Sequence, residues 1–234
     1  TRTVILKLIS FKLCPFVQRA LIVLRYKGVE HEIAYVDLDN PPEWFLNLSP
    51  LKKVPLLLVS DHVIFESTVI NEYLDEAYAN KLHPEDLILR AKNRNCIEFC
   101  NGCMWDVFHL SVKESEREYL EIVDGLLNKF DYVEETVIAS PFFNGAAFSL
   151  VDTSYAPMFQ RLAYINVLKE GVFNPSRHPN ITTWKDELLE HDSVRESTVP
   201  EFKDLYYKLL WKRRGYISRF LDPKYRSDVK KSTY

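Results

Sequence analysis

Residues 12–21, KLCPFVQRAL, set a cysteine directly before a proline at the start of a helical pattern. Proline suits the first helical turn, where its missing N–H costs nothing, so Cys14 falls at the N-cap or the first helical position. A thiolate there meets the positive end of the helix and its unpaired backbone N–H groups, and Lys12 and Arg19 are close in sequence. All of these favour the charged form and predict a thiol that ionises more readily than a free one. The competing reading is a small apolar residue closing a turn, since cysteine is among the most buried residue types. The stretch has the C-P-x-x outline of dithiol motifs, but Val17 stands where the second cysteine would be. A lone thiol cannot resolve its own mixed disulfide, so its chemistry would need an external thiol such as glutathione.

Two further stretches carry polar groups suited to a ligand. In SPLKKVPLLL, residues 49–58, a Val54-Pro55 step entering a strand is a candidate cis peptide, which would turn the Val54 backbone outward as a peptide-like edge; an ordinary trans proline opening an edge strand is the alternative. In FESTVINEYL, residues 65–74, Glu66 and Ser67 stand at a second helix start, with Ser67 expected as the N-cap. Its hydroxyl and the neighbouring N–H groups could hold a carboxylate.

Other clusters read as structure. CIEFCNGC, residues 96–103, spells C-x3-C-x2-C, a spacing used for iron–sulfur clusters. Its flanks are helical, however, and positions 96, 100 and 103 follow the i, i+4, i+7 spacing of one buried stripe, so no metal is expected. Ser149 and Asp152 form S-x-x-D before an apolar run, a capping box rather than a catalytic acid.

The elements that must position these residues divide in two. Strand signals at 3–9, 31–38 and 54–60, a tight turn at Asp61-His62 and a fourth strand at 63–66 alternate with helices at 15–28 and 67–79. Gly28 is placed as a helix stop. This predicts a small mixed α/β domain over residues 1–78, a linker at 79–88, and an all-helical domain over 89–234 that ends in a basic helix and tail. From residue 202 onward ten Lys or Arg face three Asp, read as a solvated helix face plus a frayed end.

The 234 residues carry a net charge of −3 with a pI near 6.1, so no global basic field attracts nucleic acid or an anionic membrane. No apolar run reaches the roughly 18 residues of a membrane span and no signal-peptide pattern is present, which predicts a cytoplasmic protein with reduced thiols.

Taken together, CPFVQRALIVLRYKG, PEWFLNLSPLKKVP and FEST, with FSLVDTSYAPMF and HPNITTWKDELLEHDSV further on, resemble the cytosolic glutathione transferases, in particular the omega class and its dehydroascorbate reductase relatives, over about residues 3–198. The resemblance implies a thioredoxin-like N-terminal domain followed by an all-helical one, and a homodimer. It implies glutathione as co-substrate and a small disulfide or electrophilic acceptor. Cys14 would be the nucleophile, forming a mixed disulfide with glutathione. Phe16 would pack near the glutathione thiol, Lys53 would neutralise its glycine carboxylate, and Val54, before Pro55, would pair with the tripeptide backbone. Glu66 and Ser67 would hold the γ-glutamyl group. The family pattern has glycine where this chain has Lys52, so a positive φ there would strain the loop to Lys53. Trp105, Phe108, His109, Tyr155 and Phe159 are candidates for the acceptor pocket wall, with interdomain core as the alternative for each. Chloride intracellular channel proteins share the C-P-F and Q-R residues, which leaves a non-catalytic binding or scaffold protein of the same fold as the other reading.

Overall fold

The structure is a computed structural model that describes residues 6–138 and 140–226. Four strands, β1 (Leu6–Ser10), β2 (His31–Tyr35), β3 (Leu56–Val59) and β4 (His62–Phe65), form one sheet in the order β2-β1-β3-β4. β1 and β2 are parallel and joined by α1 (Pro15–Tyr26), whereas β3 is antiparallel to both β1 and β4. Residues 3–5 of the expected first strand lie outside the described residues.

Period-two alternation decides which face each strand residue serves. Leu6, Leu8 and Leu57 join α1 and α3 (Ser67–Ala77) in the main core, while Ile9 and Leu56 turn to the other face and pack on Val36 and on Phe45 of α2 (Glu43–Leu48). α1 stops where Gly28, at φ 62, takes the left-handed conformation a helix end favours.

The linker is latched rather than loose. Asp75, on the last turn of α3, accepts the backbone N–H groups of Leu82 (2.7 Å) and His83 (3.1 Å) and pairs with buried Lys27 at 2.9 Å. The chain continues through α4 (Leu87–Val112), α5 (Glu116–Thr136), α6 (Leu150–Leu168), α7 (Pro179–Glu190), α8 (Asp192–Arg195) and α9 (Phe202–Arg213), then a 3₁₀ turn at Tyr216–Phe220. Residues 227–234 of the basic tail lie outside the described residues.

α6 is central, and residues 150–159 at its start are buried on every side, which explains their lack of a polar stripe. Asp152 at its start accepts from Ser149 N–H (2.7 Å) and Oγ (2.6 Å), from Phe143 N–H (2.9 Å) and from Trp184 Nε1 (2.7 Å), filling its oxygens with structural donors.

α1 and the helical domain also exchange arginines. Arg19 of α1 reaches Ser154 O and Asn101 Oδ1 (3.2 and 2.6 Å), and Arg161 of α6 reaches Leu13 O and Gln18 Oε1 (3.0 and 2.8 Å). No helix among the described residues is long and apolar enough to cross a membrane.

Candidate functional site

Sheet register brings three chain segments to one place. Ile9 pairs with Leu56 and Leu56 with Phe65, so these three form one row across β1, β3 and β4. Immediately beyond that row the chain leaves β1 toward Cys14, enters β3 through Val54-Pro55, and leaves β4 into Glu66-Ser67. Cys14 Sγ lies 3.9 Å from the Val54 carbonyl oxygen, and the Val54-Pro55 peptide is cis.

Cys14 is the N-cap of α1, with Pro15 the first helical residue. It is half-buried, and the backbone brackets it: its N–H donates to Phe11 O (3.0 Å) and its carbonyl accepts from Gln18 N–H (3.2 Å). The expected lowering of its pKa does not hold. Burial pushes the thiol above its ordinary value, and the N–H groups of Val17 and Phe16 with the guanidinium groups of Arg161 and Arg19 pull the other way without offsetting it. The sequence reading counted the helix end and omitted desolvation. It also counted Lys12, whose ammonium pairs instead with Glu201 at 3.1 Å. Phe16, half-buried in the first turn of α1, lies under the Arg19 guanidinium at 5.1 Å.

On the β3 side, Lys52 has φ 55, the left-handed conformation anticipated where the family carries glycine. Ser49 closes the loop: its Oγ accepts from Lys53 N–H at 2.9 Å and donates to Lys53 O at 3.0 Å. On the β4 side the N-cap of α3 is Glu66, not Ser67, which is the first helical residue. Glu66 carries φ 68 and ψ 120, strained for a residue with a side chain. Nothing in its residue type signals that strain. The Lys53 ammonium, the Glu66 carboxylate and the Ser67 hydroxyl have no side-chain partner among the described residues. A cation, an anion and a hydroxyl left uncommitted at one end of a sheet, beside an outward backbone edge, suit a zwitterionic peptide.

Two of the five predicted wall residues are corrected outright. Tyr155 and Phe159 are fully buried in the helical core, Tyr155 tilted against Trp184 and Phe159 edge-on to it, and the Tyr155 hydroxyl donates to Cys96 O. Trp105, Phe108 and His109 lie on the exposed face of α4, Trp105 at 56% exposure and Phe108 beneath Arg213 of α9. A cleft of about 210 Å³ that includes Cys14 is lined instead by α1, β2 and the 196–200 segment, with Tyr35, Gln18 and Arg25 among its walls. Cys96, Cys100 and Cys103 are buried along α4; burial pushes Cys96 and Cys100 up to about 11 and Cys103 further still. Among the described residues no group of three or more His, Cys, Asp or Glu could hold a metal ion.

Sequence reasoning missed Gln18 and Arg161. For Arg161 the available signal was a charged residue inside the largely apolar run MFQRLAYI, since a buried guanidinium needs a reason.

Comparison with known proteins gives consistent matches. Residues 13–77 match the family described as glutathione S-transferase, N-terminal domain, and residues 105–186 the one described as glutathione S-transferase, C-terminal domain. Over 209 residues the chain is 32% identical to glutathione S-transferase omega-1 of Mus musculus, covering 86% of this chain and 85% of the relative. It is 31% identical to glutathione S-transferase omega-2 of Homo sapiens, covering 87% and 86%. Its fold superposes on glutathione transferase Omega 3C from Trametes versicolor with a TM-score of 0.75 at 24% identity, covering 82% of this chain and 88% of the other. On rice GST1, solved in complex with glutathione, the TM-score is 0.80 at 23% identity, covering 92% and 98%.

Proposed function

This chain belongs to the glutathione S-transferase family, with omega-class relatives, and we propose that it is a glutathione-dependent thiol transferase and dehydroascorbate reductase whose one reactive cysteine is Cys14. The observation that carries the reading is the placement of a lone half-buried thiol at a helix N-cap, 3.9 Å from the Val54 carbonyl and beside the uncommitted Lys53, Glu66 and Ser67.

Glutathione would lie along this edge, its cysteinyl backbone against Val54, its glycine carboxylate toward Lys53, and its γ-glutamyl group toward Glu66, the Ser67 hydroxyl and the start of α3. Phe16 and cis-Pro55 would shape the ground beside the sulfur. The Cys14 thiolate attacks the glutathione sulfur of a mixed disulfide, expelling the partner thiolate and leaving Cys14 disulfide-linked to glutathione. A second glutathione thiolate attacks that link, releasing glutathione disulfide and restoring the thiolate. With dehydroascorbate, two glutathione thiols supply two electrons and two protons, giving ascorbate and glutathione disulfide. Val17 explains why the second thiol comes from solution.

Exposed apolar residues on β4, α3 and the first turn of α4, namely Phe65, Val69, Leu87 and Ile88, support a homodimer, and four free cysteines suit a reducing cytoplasm.

The test is a panel of hydroxyethyl disulfide, dehydroascorbate and chlorodinitrobenzene, each with glutathione, on wild-type protein and Cys14→Ser. We expect turnover of one or both of the first two, little of the third, and loss of that turnover in Cys14→Ser with a single glutathione recovered on Cys14 of the wild type. Strong conjugation that survives Cys14→Ser overturns the reading. Absence of all three activities with glutathione still bound selects instead a glutathione-binding protein without turnover.

A further inference from the structure

Arg161 is 3% exposed and has no carboxylate partner among the described residues. Its Nη1 donates to Gln18 Oε1 (2.8 Å) and to Pro157 O (2.7 Å), and its Nη2 to Leu13 O (3.0 Å). The guanidinium plane lies over the Phe202 ring at 5.1 Å. Burying a guanidinium against neutral acceptors alone is costly, because carbonyls return only part of the hydration it loses.

Its anchors identify what it serves. Leu13 immediately precedes Cys14, and Gln18 donates its backbone N–H to the Cys14 carbonyl at 3.2 Å. Arg161 therefore grips the chain on both sides of the thiol, from another domain. Gln18 is fixed in turn, its Nε2 donating to Gln160 Oε1 (2.9 Å) and Ser197 Oγ (3.1 Å), so its Oε1 is aimed at Arg161.

Resting on the reading of Cys14 as the reactive thiol, we infer that Arg161 is its positioning residue: it fixes the Leu13-to-Gln18 turn and supplies the buried positive charge against which the thiolate forms. The charged and titratable groups around this point are few. Arg19 faces Cys14 from α1; Arg161 faces it from α6; Tyr164 of α6 and Tyr206 and Arg213 of α9 lie behind Arg161. Burial keeps Tyr164 and Tyr206 neutral at ordinary pH. Arg25, Tyr35 and Glu196 line the cleft at Cys14, but the hydrogen bonds of Arg161 go to Gln18, Pro157 and Leu13 and to no carboxylate among the described residues, so the thiolate is the anion that completes its surroundings. Lys12 is occupied at the rim by Glu201.

The experiment follows the pH dependence of Cys14 alkylation by iodoacetamide, mapped to its peptide, in wild type, Arg161→Met, Arg161→Lys and Gln18→Glu, with thermal unfolding measured alongside. Gln18→Glu is nearly isosteric, keeps the acceptor and places a carboxylate on Arg161, so it competes for the charge without emptying the site. We expect Arg161→Met and Gln18→Glu each to alkylate Cys14 about tenfold more slowly at neutral pH, with the profile moved to higher pH, and Arg161→Lys to recover much of the loss. Lower melting temperatures with an unmoved profile in both variants would make Arg161 a packing residue and overturn the inference; if Arg161→Met does not fold, Gln18→Glu decides alone. The readout is independent of turnover. Failure of the Cys14 assignment appears instead as turnover retained by Cys14→Ser.

Discussion

Ser49 hydrogen-bonds both backbone polar groups of Lys53, its Oγ accepting from the N–H at 2.9 Å and donating to the carbonyl at 3.0 Å. One buried hydroxyl thus closes a five-residue loop and aims the chain into Val54-Pro55. Within that loop Lys52 is held at φ 55, a conformation that costs a side-chain-bearing residue about 1 kcal/mol. Lys52→Gly relieves it and loses back part of the gain to unfolded-chain entropy. We expect a net stabilisation of about 0.5 kcal/mol, seen as a higher urea midpoint with unchanged slope. A lower midpoint would show that the lysine stem packs more than its backbone strains.

The Cys14 thiol is expected to react as a desolvated one. Because burial raises its pKa, the thiolate is a minority species at neutral pH and grows about tenfold with each pH unit. The iodoacetamide rate at Cys14 should therefore climb from pH 6 through pH 8.5 without a plateau. A plateau beginning below pH 7 would restore the expectation drawn from the helix end alone.

The α4 thiols give an alkaline signature. Burial raises Cys96 and Cys100 to about 11 and Cys103 further. A thiol whose folded pKa lies above its unfolded value, about 8.5, gives stability that is complete below 8.5 and is lost as pH rises toward the folded value. Melting temperature should fall between pH 8.5 and 10.5, and Cys96→Ala with Cys103→Ala should flatten that fall while lowering the neutral-pH value through the cavities left. An identical alkaline slope in the double variant would assign the loss to other groups.

Asp152 should matter to folding and not to chemistry. Asp152→Ala strands Ser149 N–H, Phe143 N–H and Trp184 Nε1 in a dry interior, and we expect a loss of about 3 kcal/mol or more in urea unfolding. Asp152→Asn keeps one acceptor and should cost less. Specific activity of the folded fraction should match wild type in both; a folded Asp152→Asn with tenfold lower turnover would contradict the structural assignment.

What the sequence disclosed and what it withheld follow from range. The capping box, the α1 stop at Gly28 and the positions of Cys14 and Pro15 depend on neighbours within a few residues, and local pattern found them. The strained Lys52 was legible because one residue departed from a family pattern. Ser67 as N-cap failed by one place, since helix starts vary at that scale and Glu66 gave no local sign of its positive φ. Tyr155 and Phe159 could not be separated from a pocket wall by spacing, because the half of α6 that carries them is buried all round and its periodicity there carries no facing information. The Cys14 environment was missed for a different reason. Arg161 comes from an element well over a hundred residues away and the burial of the thiol draws on several segments, and only tertiary packing brings them together.

The exchanged arginines also bear on motion. Arg19 is lodged in α4 and α6 while Arg161 is lodged against α1 and the residue before Cys14, each donating to acceptors on the opposite side. A hinge opening between the halves would pull both guanidinium groups off their acceptors at once and wet two sockets that are dry when closed. Such a motion is penalised twice over, so α1 and the helical domain are tied together as one body rather than as two halves of a jaw.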